Sequence, residues 1–512
     1  MAGQTNDCEL WEIASLIRGK NAGPFQLTLD VMFESHKAFE TFIASKVLTP
    51  DLIASLYGVR RDEVQIFIYH AALAAKITIP RTVSAGHPDD DDIFGGQAHA
   101  PLVKLRIPAA PPIVVNLGSS QLDHVKLVQA TCKNVERRTI MSSYIAFPFL
   151  QVSGDARERG RQHGAGASEQ VGASAKTYRD LLNRLDVSPK VVADLATTFM
   201  NMIRAYDDEQ AEELIGISEG SGVPLAEIVT INARTEIVAM ARRGAHTPLD
   251  ECTAAVVMPE ASADGHLLHG QNWDGGLERV DHCIVLHIQQ EGAPDILTFT
   301  EAGALLRNGF NSAGVCITGN SIGCERDYQR PGVPLPAIRR KALATPYYAK
   351  SIDAVYSTPK TGSSNMMLSH CDGEAVDIEC APDESFFLHP KDGILTHANH
   401  WESAAALSKI RVVGMSESPC SPYRGRRLWR LLNRRNGNLT MDDMRQAFLD
   451  DWQSPYSICR PPREGLFTPC TAATVLMNAA EGTMEVARVP AEDPRFTKYS
   501  INGQQPEPVE AN

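Results

Sequence analysis

The residue with the greatest chemical interest is Cys252, which stands where a helix-rich part of the chain gives way to a strand-rich part. It follows Glu251 and opens the apolar run CTAAVV. A thiolate is a strong nucleophile, whereas a cysteine at the start of a buried strand is more often a small core residue. The polar residues that accompany Cys252 must therefore decide between a nucleophile and a core thiol.

Polar residues recur in short motifs downstream of Cys252. The motifs are GQNWD (270–274), GVCITGN (314–320), LTHANHW (395–401), SPYRGRR (421–427) and SPYSICR (454–460). In the order and spacing of these motifs the chain resembles the acyl-CoA:6-aminopenicillanic acid acyltransferases, also called isopenicillin N acyltransferases. That family is a cysteine branch of the N-terminal nucleophile hydrolases, related to bile salt hydrolase and penicillin V acylase. The resemblance covers about residues 148–489, and the upstream GDARERGRQHG and EELIGISEGSG resemble the pro-segment of the family.

The resemblance implies that the chain cuts itself between Glu251 and Cys252. The thiol would attack the Glu251 carbonyl, and water would then release a new N-terminus. The freed α-amine has a reference pKa of about 7.7–8.0, so it can act as a general base near neutral pH. One residue would then supply both nucleophile and base. Transfer of the acyl group to water makes a hydrolase, and transfer to an amine makes an acyltransferase.

The resemblance also assigns roles to four other residues. Asp274 would orient the amine or the thiol of Cys252, and Asn399 and Asn320 would donate to the oxyanion. Arg424 would lower the pKa of the thiol or bind a substrate carboxylate. Losing one oxyanion donor costs about 2.7–4 kcal/mol of transition-state stabilisation. The same resemblance implies a small-molecule amide or acyl-CoA substrate.

Three of these residues also have a structural interpretation. Asp274 precedes two glycines and could cap a turn, and Asn320 could be a turn residue. Arg424 has three arginines close by and could be a surface helix residue. The chain departs from the family pattern at two positions. The best-known members cut after glycine, where this chain has Glu251, and Gln271 stands where bile salt hydrolases carry arginine.

Two other functional hypotheses remain open. The first is an uncleaved, non-enzymatic scaffold or partner-binding protein. The second is a cysteine hydrolase in which the internal Cys252 uses His397 or His400 as its base. The two histidines could also suggest a metal site, but they follow the strand-like GILT and lack a nearby Glu–His pair, so we predict no metal and no cofactor.

Composition narrows the partners and the compartment. The 512 residues carry a net charge of −13, which argues against binding to nucleic acid or an anionic membrane. No run approaches the ~18 apolar residues of a membrane span, and the N-terminus lacks the pattern of a secretory signal. Eleven cysteines without a C-x-x-C motif suit a reducing compartment. We expect a cytoplasmic protein, with the peroxisome as the alternative.

The composition and the motifs predict an α+β protein in two domains. The resemblance implies that the large domain has the four-layer αββα fold of N-terminal nucleophile hydrolases, with a helical pro-segment, and it is expected to follow a small α+β domain. The predicted segments are the small domain (1–112), a linker (113–147), the pro-segment (148–251), the catalytic segment (252–500) and a tail (501–512).

The first segment resembles a domain of unknown function that is often encoded beside acyclic-terpene-utilisation proteins. CELWEIASLIRGKNAGPF and DIFGGQAHAPL carry this resemblance, over about residues 8–108. The fusion suggests a shared pathway or docking of a protein partner.

Two local patterns complete the expectations. Leu10, Ile13, Ala14 and Ile17 follow helical spacing, and Asp372-Gly373 between two strand-like runs suits a type I′ hairpin turn.

Overall fold

The computed structural model describes residues 8–21, 25–33, 36–69, 73–81, 83, 92, 98–107, 146–242, 252–415, 418–462 and 470–509. Glu251 and nearly all of the predicted linker lie outside these ranges. The chain divides into two compact units, residues 1–138 and 139–512. No helix within the described ranges is long and apolar enough to cross a membrane.

The first unit is a small α+β fold, as predicted. A four-stranded antiparallel sheet has the order β2-β3-β5-β4, and a two-stranded ladder joins β1 to β6. The strands are β1 (Cys8–Glu9), β2 (Leu16–Asn21), β3 (Gln26–Met32), β4 (Gln65–Tyr69), β5 (Ala74–Pro80) and β6 (Arg106–Ile107). The helices are α1 (Leu10–Ile13), α2 (His36–Ser45), α3 (Pro50–Tyr57) and α4 (Ala100–Val103).

The predicted helix through Ile17 is wrong beyond its first turn. Helix α1 ends at Ile13, and residues 16–21 instead form strand β2. Strand β2 pairs along its whole length with β3, whose Leu29 and Val31 are fully buried. Pairing with a buried strand outweighs a helical spacing that spans only two turns.

The second unit begins with helices and continues with strands. Its helices are α5 (Ala156–Gly166), α6 (Ser168–Arg184), α7 (Pro189–Tyr206), α8 (Asp208–Ser221), α9 (Leu225–Asn232), α10 (Arg234–Ala241), α11 (Leu335–Leu343), α12 (Tyr348–Tyr356), α13 (Ala404–Leu407), α14 (Ser421–Asn433) and α15 (Met441–Phe448). Its strands are β7 (Phe149–Val152), β8 (Cys252–Val257), β9 (Leu268–Gly275), β10 (Cys283–Ile288), β11 (Ile296–Glu301), β12 (Asn308–Asn311), β13 (Val315–Ser321), β14 (Ser364–His370), β15 (Glu374–Cys380), β16 (Ser385–Leu388), β17 (Ile394–His397), β18 (Cys470–Asn478), β19 (Thr483–Arg488), β20 (Phe496–Ser500) and β21 (Glu507–Pro508).

Two sheets form the middle of this unit. One has eight strands in the order β16-β15-β14-β13-β12-β11-β10-β7, and the other has seven in the order β17-β8-β9-β18-β19-β20-β21. Pairing is antiparallel except between β7 and β10, which run parallel. Strand β21 pairs with β20, so part of the predicted tail extends the second sheet.

Three apolar cores separate four layers. Strand β10 shows how its sequence serves two of them, because Ile284, Leu286 and Ile288 pack against the pro-segment helices while Val285 packs between the sheets. The third core joins the seven-stranded sheet to α14 and α15. The order is helices, sheet, sheet, helices, which confirms the predicted αββα fold. Strands buried on both faces also explain apolar runs without polar alternation.

Helices α5 and α8 pack with their backbones in contact. The contact is made through Gly160 and Gly164 on one helix and Gly216 and Gly220 on the other. A Cβ atom at Gly216 would lie 2.1 Å from the carbonyl oxygen of Arg157. Any side chain there would force the helices apart.

The hairpin of β14 and β15 forms, but its turn differs from the prediction. His370 pairs with Glu374, so three residues form the loop rather than two. Of those three, only Gly373 has a positive φ, of 95°. A type I′ turn requires positive φ at both central residues, and Asp372 does not supply it.

The glycine contact predicts a large effect from one methyl group. Gly216→Ala is expected to lower the free energy of unfolding by about 1–3 kcal/mol, because overpacking strains a close backbone contact. Gly172→Ala is the matched control in helix α6, where an added Cβ meets nothing within 4 Å. That control should raise stability by up to about 1 kcal/mol. Urea unfolding measures both, and equal effects of the two variants would contradict the packing.

Candidate functional site

Cys252 is the first residue of β8, an interior strand of the seven-stranded sheet between β17 and β9. It pairs with Trp273 of strand β9 and is 3% exposed. Ala254 and Val256, on the same strand face, pack toward the other sheet, whereas Ala255 and Val257 pack toward helices α14 and α15. The run CTAAVV is apolar because β8 is buried on both faces.

Asn399 and Arg424 hold the backbone of Cys252. The Cys252 backbone nitrogen donates to Asn399 Oδ1 at 2.8 Å. Arg424 Nη1 donates to the Cys252 carbonyl oxygen at 2.8 Å, and Nη2 donates to Asn399 Oδ1 at 2.8 Å. The structure therefore brings three of the predicted residues into one hydrogen-bonded group.

Arg424 is fully buried in helix α14. Its Nη1 also donates to Thr253 Oγ1 at 2.6 Å. The interpretation of Arg424 as a surface residue is therefore wrong. A guanidinium at this depth is tolerated because its planar set of donors meets several oxygens at once.

Asn399 is fixed by its own neighbours. Its backbone nitrogen donates a hydrogen bond to Ser421 Oγ at 2.7 Å. Its side-chain Nδ2 donates to the Ser321 carbonyl oxygen at 2.8 Å. The amide oxygen thereby points at the Cys252 nitrogen, and the amide nitrogen faces the end of strand β13.

Asp274 lies beside Cys252 but on the opposite face of the sheet. Because Cys252 pairs with Trp273, strand alternation places the next side chain of β9 on the other face. The Asp274 carboxylate is fully buried, accepts from Thr471 Oγ1 at 2.8 Å and pairs with Arg460 Nε at 3.3 Å. Of its two predicted targets, this geometry favours the Cys252 amine over the thiol.

Asn320 lies in strand β13 and is buried, so its interpretation as a turn residue is wrong. Its Nδ2 donates to Asn365 Oδ1 at 3.1 Å and to the His397 carbonyl oxygen at 3.2 Å, and its Oδ1 accepts from Gln271 at 2.9 Å. Both amide protons are thus committed. Donation to an oxyanion would require one of these bonds to open.

His397 and His400 belong to a neighbouring polar network. The two ring nitrogens of His397 contact Glu379 Oε1 at 2.9 Å and the Ala398 carbonyl oxygen at 3.0 Å. His400 Nδ1 contacts Ser421 Oγ at 2.9 Å, and burial lowers the pKa of His400 to about 4. With both ring nitrogens facing acceptors, His397 has no position from which to take a proton from a thiol.

A small cavity of about 50 Å³ opens beside Cys252. A larger one, of about 680 Å³, lies against β17 and α14 and includes none of the predicted site residues in its walls. Within the described ranges, two groups of side chains could hold a metal ion, Asp264–His266–Glu481 and His370–Cys371–Asp372, and neither contains a predicted site residue. The nine cysteines from Cys252 to Cys470 are free thiols.

Sequence reasoning missed several partners of the site. Arg460 ends the motif SPYSICR, so its pairing with Asp274 had a visible signal. Thr253 and Ser421, which contact Arg424 and Asn399, lie within recognised motifs but drew no prediction. Their roles depend on contacts between distant segments.

Both units are similar in sequence to known proteins. Residues 10–106 match a family described as a domain of unknown function, DUF4387. The acyl-coenzyme A:6-aminopenicillanic-acid-acyltransferase 40 kDa form of Emericella nidulans is 25% identical over 377 residues, covering 71% of this chain and 99% of that protein. Acid ceramidase of Mus musculus is 32% identical over 97 residues, covering 19% of this chain and 21% of that protein.

Two solved structures are similar to part of the chain. A variant of conjugated bile acid hydrolase from Clostridium perfringens has a TM-score of 0.36 and 12% identity, covering 51% of this chain and 97% of that one. Penicillin V acylase from Agrobacterium tumefaciens has a TM-score of 0.34 and 11% identity, covering 49% and 87%.

The buried guanidinium gives a stability prediction. Arg424→Lys keeps the charge but loses the planar set of donors, leaving buried acceptors without partners, so we expect a loss of about 2–4 kcal/mol in the free energy of unfolding. Arg426→Lys is the control, since Arg426 lies on the same helix and is exposed. It should change stability by less than about 0.5 kcal/mol. Chemical denaturation of both variants measures the two losses. An equally mild loss in Arg424→Lys would contradict the importance of the buried hydrogen bonds of Arg424.

The network around His397 predicts a pH dependence. Burial alone would lower the pKa of His397, but Asp377 and Glu379 outweigh it and raise the pKa to about 10. A raised pKa means that the stabilisation is complete below the unfolded value of about 6.5 and is lost as the pH rises toward 10.

Urea unfolding at pH 6, 8 and 9.5 tests this dependence. The free energy of unfolding should fall with pH in the parent and fall less steeply in His397→Gln. Groups that do not interact with His397 contribute alike to both proteins. The same slope in both would show that His397 does not hold its proton in this range.

Proposed function

We propose that this chain is a self-processing amidohydrolase or acyltransferase whose nucleophile is Cys252, exposed as a new N-terminus by cleavage after Glu251. The observation that carries the proposal is the hydrogen bond from the Cys252 nitrogen to Asn399 Oδ1. A peptide N–H donates this bond before cleavage, and a free amine can donate it afterwards. The nucleophile would therefore stay in place while its covalent state changes.

Self-cleavage would proceed by an N→S acyl shift. Cys252 Sγ attacks the Glu251 carbonyl carbon, the C–N bond breaks, and the nitrogen takes a proton to become an amine. Water then hydrolyses the thioester, which leaves a carboxylate on Glu251 and a thiol on Cys252. Arg424 donates to the Cys252 carbonyl oxygen. Cys252 is therefore held at its carbonyl group, whereas the bond that breaks is at its nitrogen.

The mature site would use the α-amine of Cys252 as its base. The amine accepts the thiol proton, and the thiolate attacks an amide or thioester carbonyl. The leaving amine or thiol takes that proton, and the acyl group stays on Cys252 until water or an amine accepts it. The Nδ2 of Asn399 is the proposed donor to the oxyanion, and Asn320 joins it if its bond to Asn365 or His397 opens.

Asp274 would act on the amine rather than on the thiol. Its carboxylate is already paired with Arg460, so its charge is partly balanced within the protein. A balanced carboxylate can hold the amine by a hydrogen bond without raising the amine pKa as far as an unpaired carboxylate would. This arrangement suits an amine that must be neutral to accept a proton.

The comparisons support an acyl-transfer reaction of this kind. The relative matched over nearly its whole length is named as an acyl-coenzyme A:6-aminopenicillanic-acid-acyltransferase. We propose a small-molecule amide or acyl-CoA substrate on this basis. For the first unit, whose matched family has no described function, we propose docking of a protein partner and retain the link to acyclic terpene utilisation as a hypothesis.

Intact mass spectrometry tests self-processing. The 55.8 kDa parent is expected to yield pieces of 251 and 261 residues, with masses of about 27 and 28 kDa, the second beginning CTAAVV. Cys252→Ala should remain one species, because it has no nucleophile for the acyl shift. The two pieces should elute together under native conditions, because β7 pairs with β10 and the pro-segment helices share a core with the eight-stranded sheet.

Cys316→Ala is the matched control, since Cys316 is also a buried cysteine at 1% exposure in a central strand. It should still be cut. A parent that stays uncut after long incubation would overturn the proposal and favour a scaffold, and a Cys252→Ala variant that is still cut would point to an outside protease.

A further inference from the structure

The cavity beside Cys252 contains a buried arginine that forms no ion pair with any residue the structure describes. Arg339, on helix α11, is 7% exposed and lines this cavity together with Cys252. The side chain of Arg339 makes no ion pair and no hydrogen bond with any described residue, and its Nε is buried without a partner. A buried charge left unpaired is costly, so such a group is expected to meet an anion when the site is in use.

Two further arginines line the cavity. Arg234 and Arg307 both pair with Glu301, Arg234 at 3.0 Å. Glu236 also lines the cavity, and burial raises the pKa of its carboxyl group. Burial and the charge of Arg307 lower the pKa of Arg339 to about 9.

The close packing around Arg339 fixes where its guanidinium lies. Gly319, in strand β13, faces it so closely that a Cβ there would stand 2.5 Å from Arg339 Nη2. Glycine at 319 thus makes room for the guanidinium at the cavity wall. A methyl group at this position is expected to displace it.

The size of the cavity limits the anion. About 50 Å³ exceeds the ~10–15 Å³ that one water needs, so it has room for a group of a few atoms. A carboxylate fits this volume and matches the planar fork of arginine. A nucleotide does not fit.

We propose that this cavity is a carboxylate site centred on Arg339, and that the substrate is an amide or thioester carrying a carboxylate close to the carbonyl that Cys252 attacks. The substrate assignment rests on the proposed function, but carboxylate binding does not require cleavage or turnover. A competing role for Arg339 is to stabilise the Cys252 thiolate alone, and the two roles predict different results.

Thermal unfolding with small probes tests binding directly. Acetate should raise the unfolding temperature of the full-length parent more than acetamide does, at equal ionic strength, because only acetate supplies the anion. Arg339→Gln and Gly319→Ala should each weaken acetate binding about ten- to a hundred-fold. Arg340→Gln is the control, since Arg340 is equally buried but donates to Glu213 and Gln290. It should keep acetate binding.

Alkylation of Cys252 gives the second readout. Iodoacetate and iodoacetamide carry the same reactive carbon, and only iodoacetate carries a carboxylate. Mass spectrometry of the Cys252 peptide should show a preference for iodoacetate in the parent that falls about tenfold or more in Arg339→Gln and is unchanged in Arg340→Gln. Succinate should protect the parent and not Arg339→Gln.

The outcomes separate the alternatives. Acetate stabilisation that is the same in the parent and in Arg339→Gln would overturn the carboxylate site. If Arg339→Gln slows alkylation by both reagents equally and keeps the preference for acetate over acetamide, the role of Arg339 is to stabilise the Cys252 thiolate. That result would also overturn the carboxylate site. If Cys252 reacts with neither reagent, the acetate comparison alone decides. An uncut parent that still binds acetate through Arg339 would refute the proposed function and leave this site standing.

Discussion

The buried guanidinium of Arg424 is the interaction on which the rest of the candidate site depends. It joins the first residue of a central strand, the residue after it and an asparagine from a distant segment, through Cys252, Thr253 and Asn399. A charge at this depth is stable only when several oxygens surround it. The strand, the segment after β17 and helix α14 must therefore be placed together, and an error in any one would leave a buried charge unpaired.

The four layers supply that placement. The seven-stranded sheet holds β8 and β9, helix α14 covers its outer face, and the eight-stranded sheet closes the inner face. Residues before Cys252 are built into the same body, because β7 joins the eight-stranded sheet and helices α5 and α8 pack through paired glycines. If the chain is cut before Cys252, both pieces therefore belong to one fold.

Local sequence patterns predicted most elements but failed where pairing or turn geometry competed with them. Helical spacing around Leu10 continued to Ile17, yet strand pairing took over from residue 16. The Asp372-Gly373 hairpin formed with a different loop, because only Gly373 adopts positive φ. Asn320 donates to Asn365 and His397, and its sequence motif indicates neither partner. A single residue type cannot show which partners it will meet.

Composition and periodicity in the sequence predicted an α+β protein that changes from helices to strands at Cys252, and short motifs singled out Asp274, Asn399 and Arg424. The αββα class was implied by the resemblance of these motifs to a known family. The tertiary structure alone decided that Asn399 meets a nitrogen 147 residues away, and that Arg234, Arg307 and Arg339 line one cavity. Contacts of this kind follow from strand order and layer packing, which bring together residues that no local pattern connects.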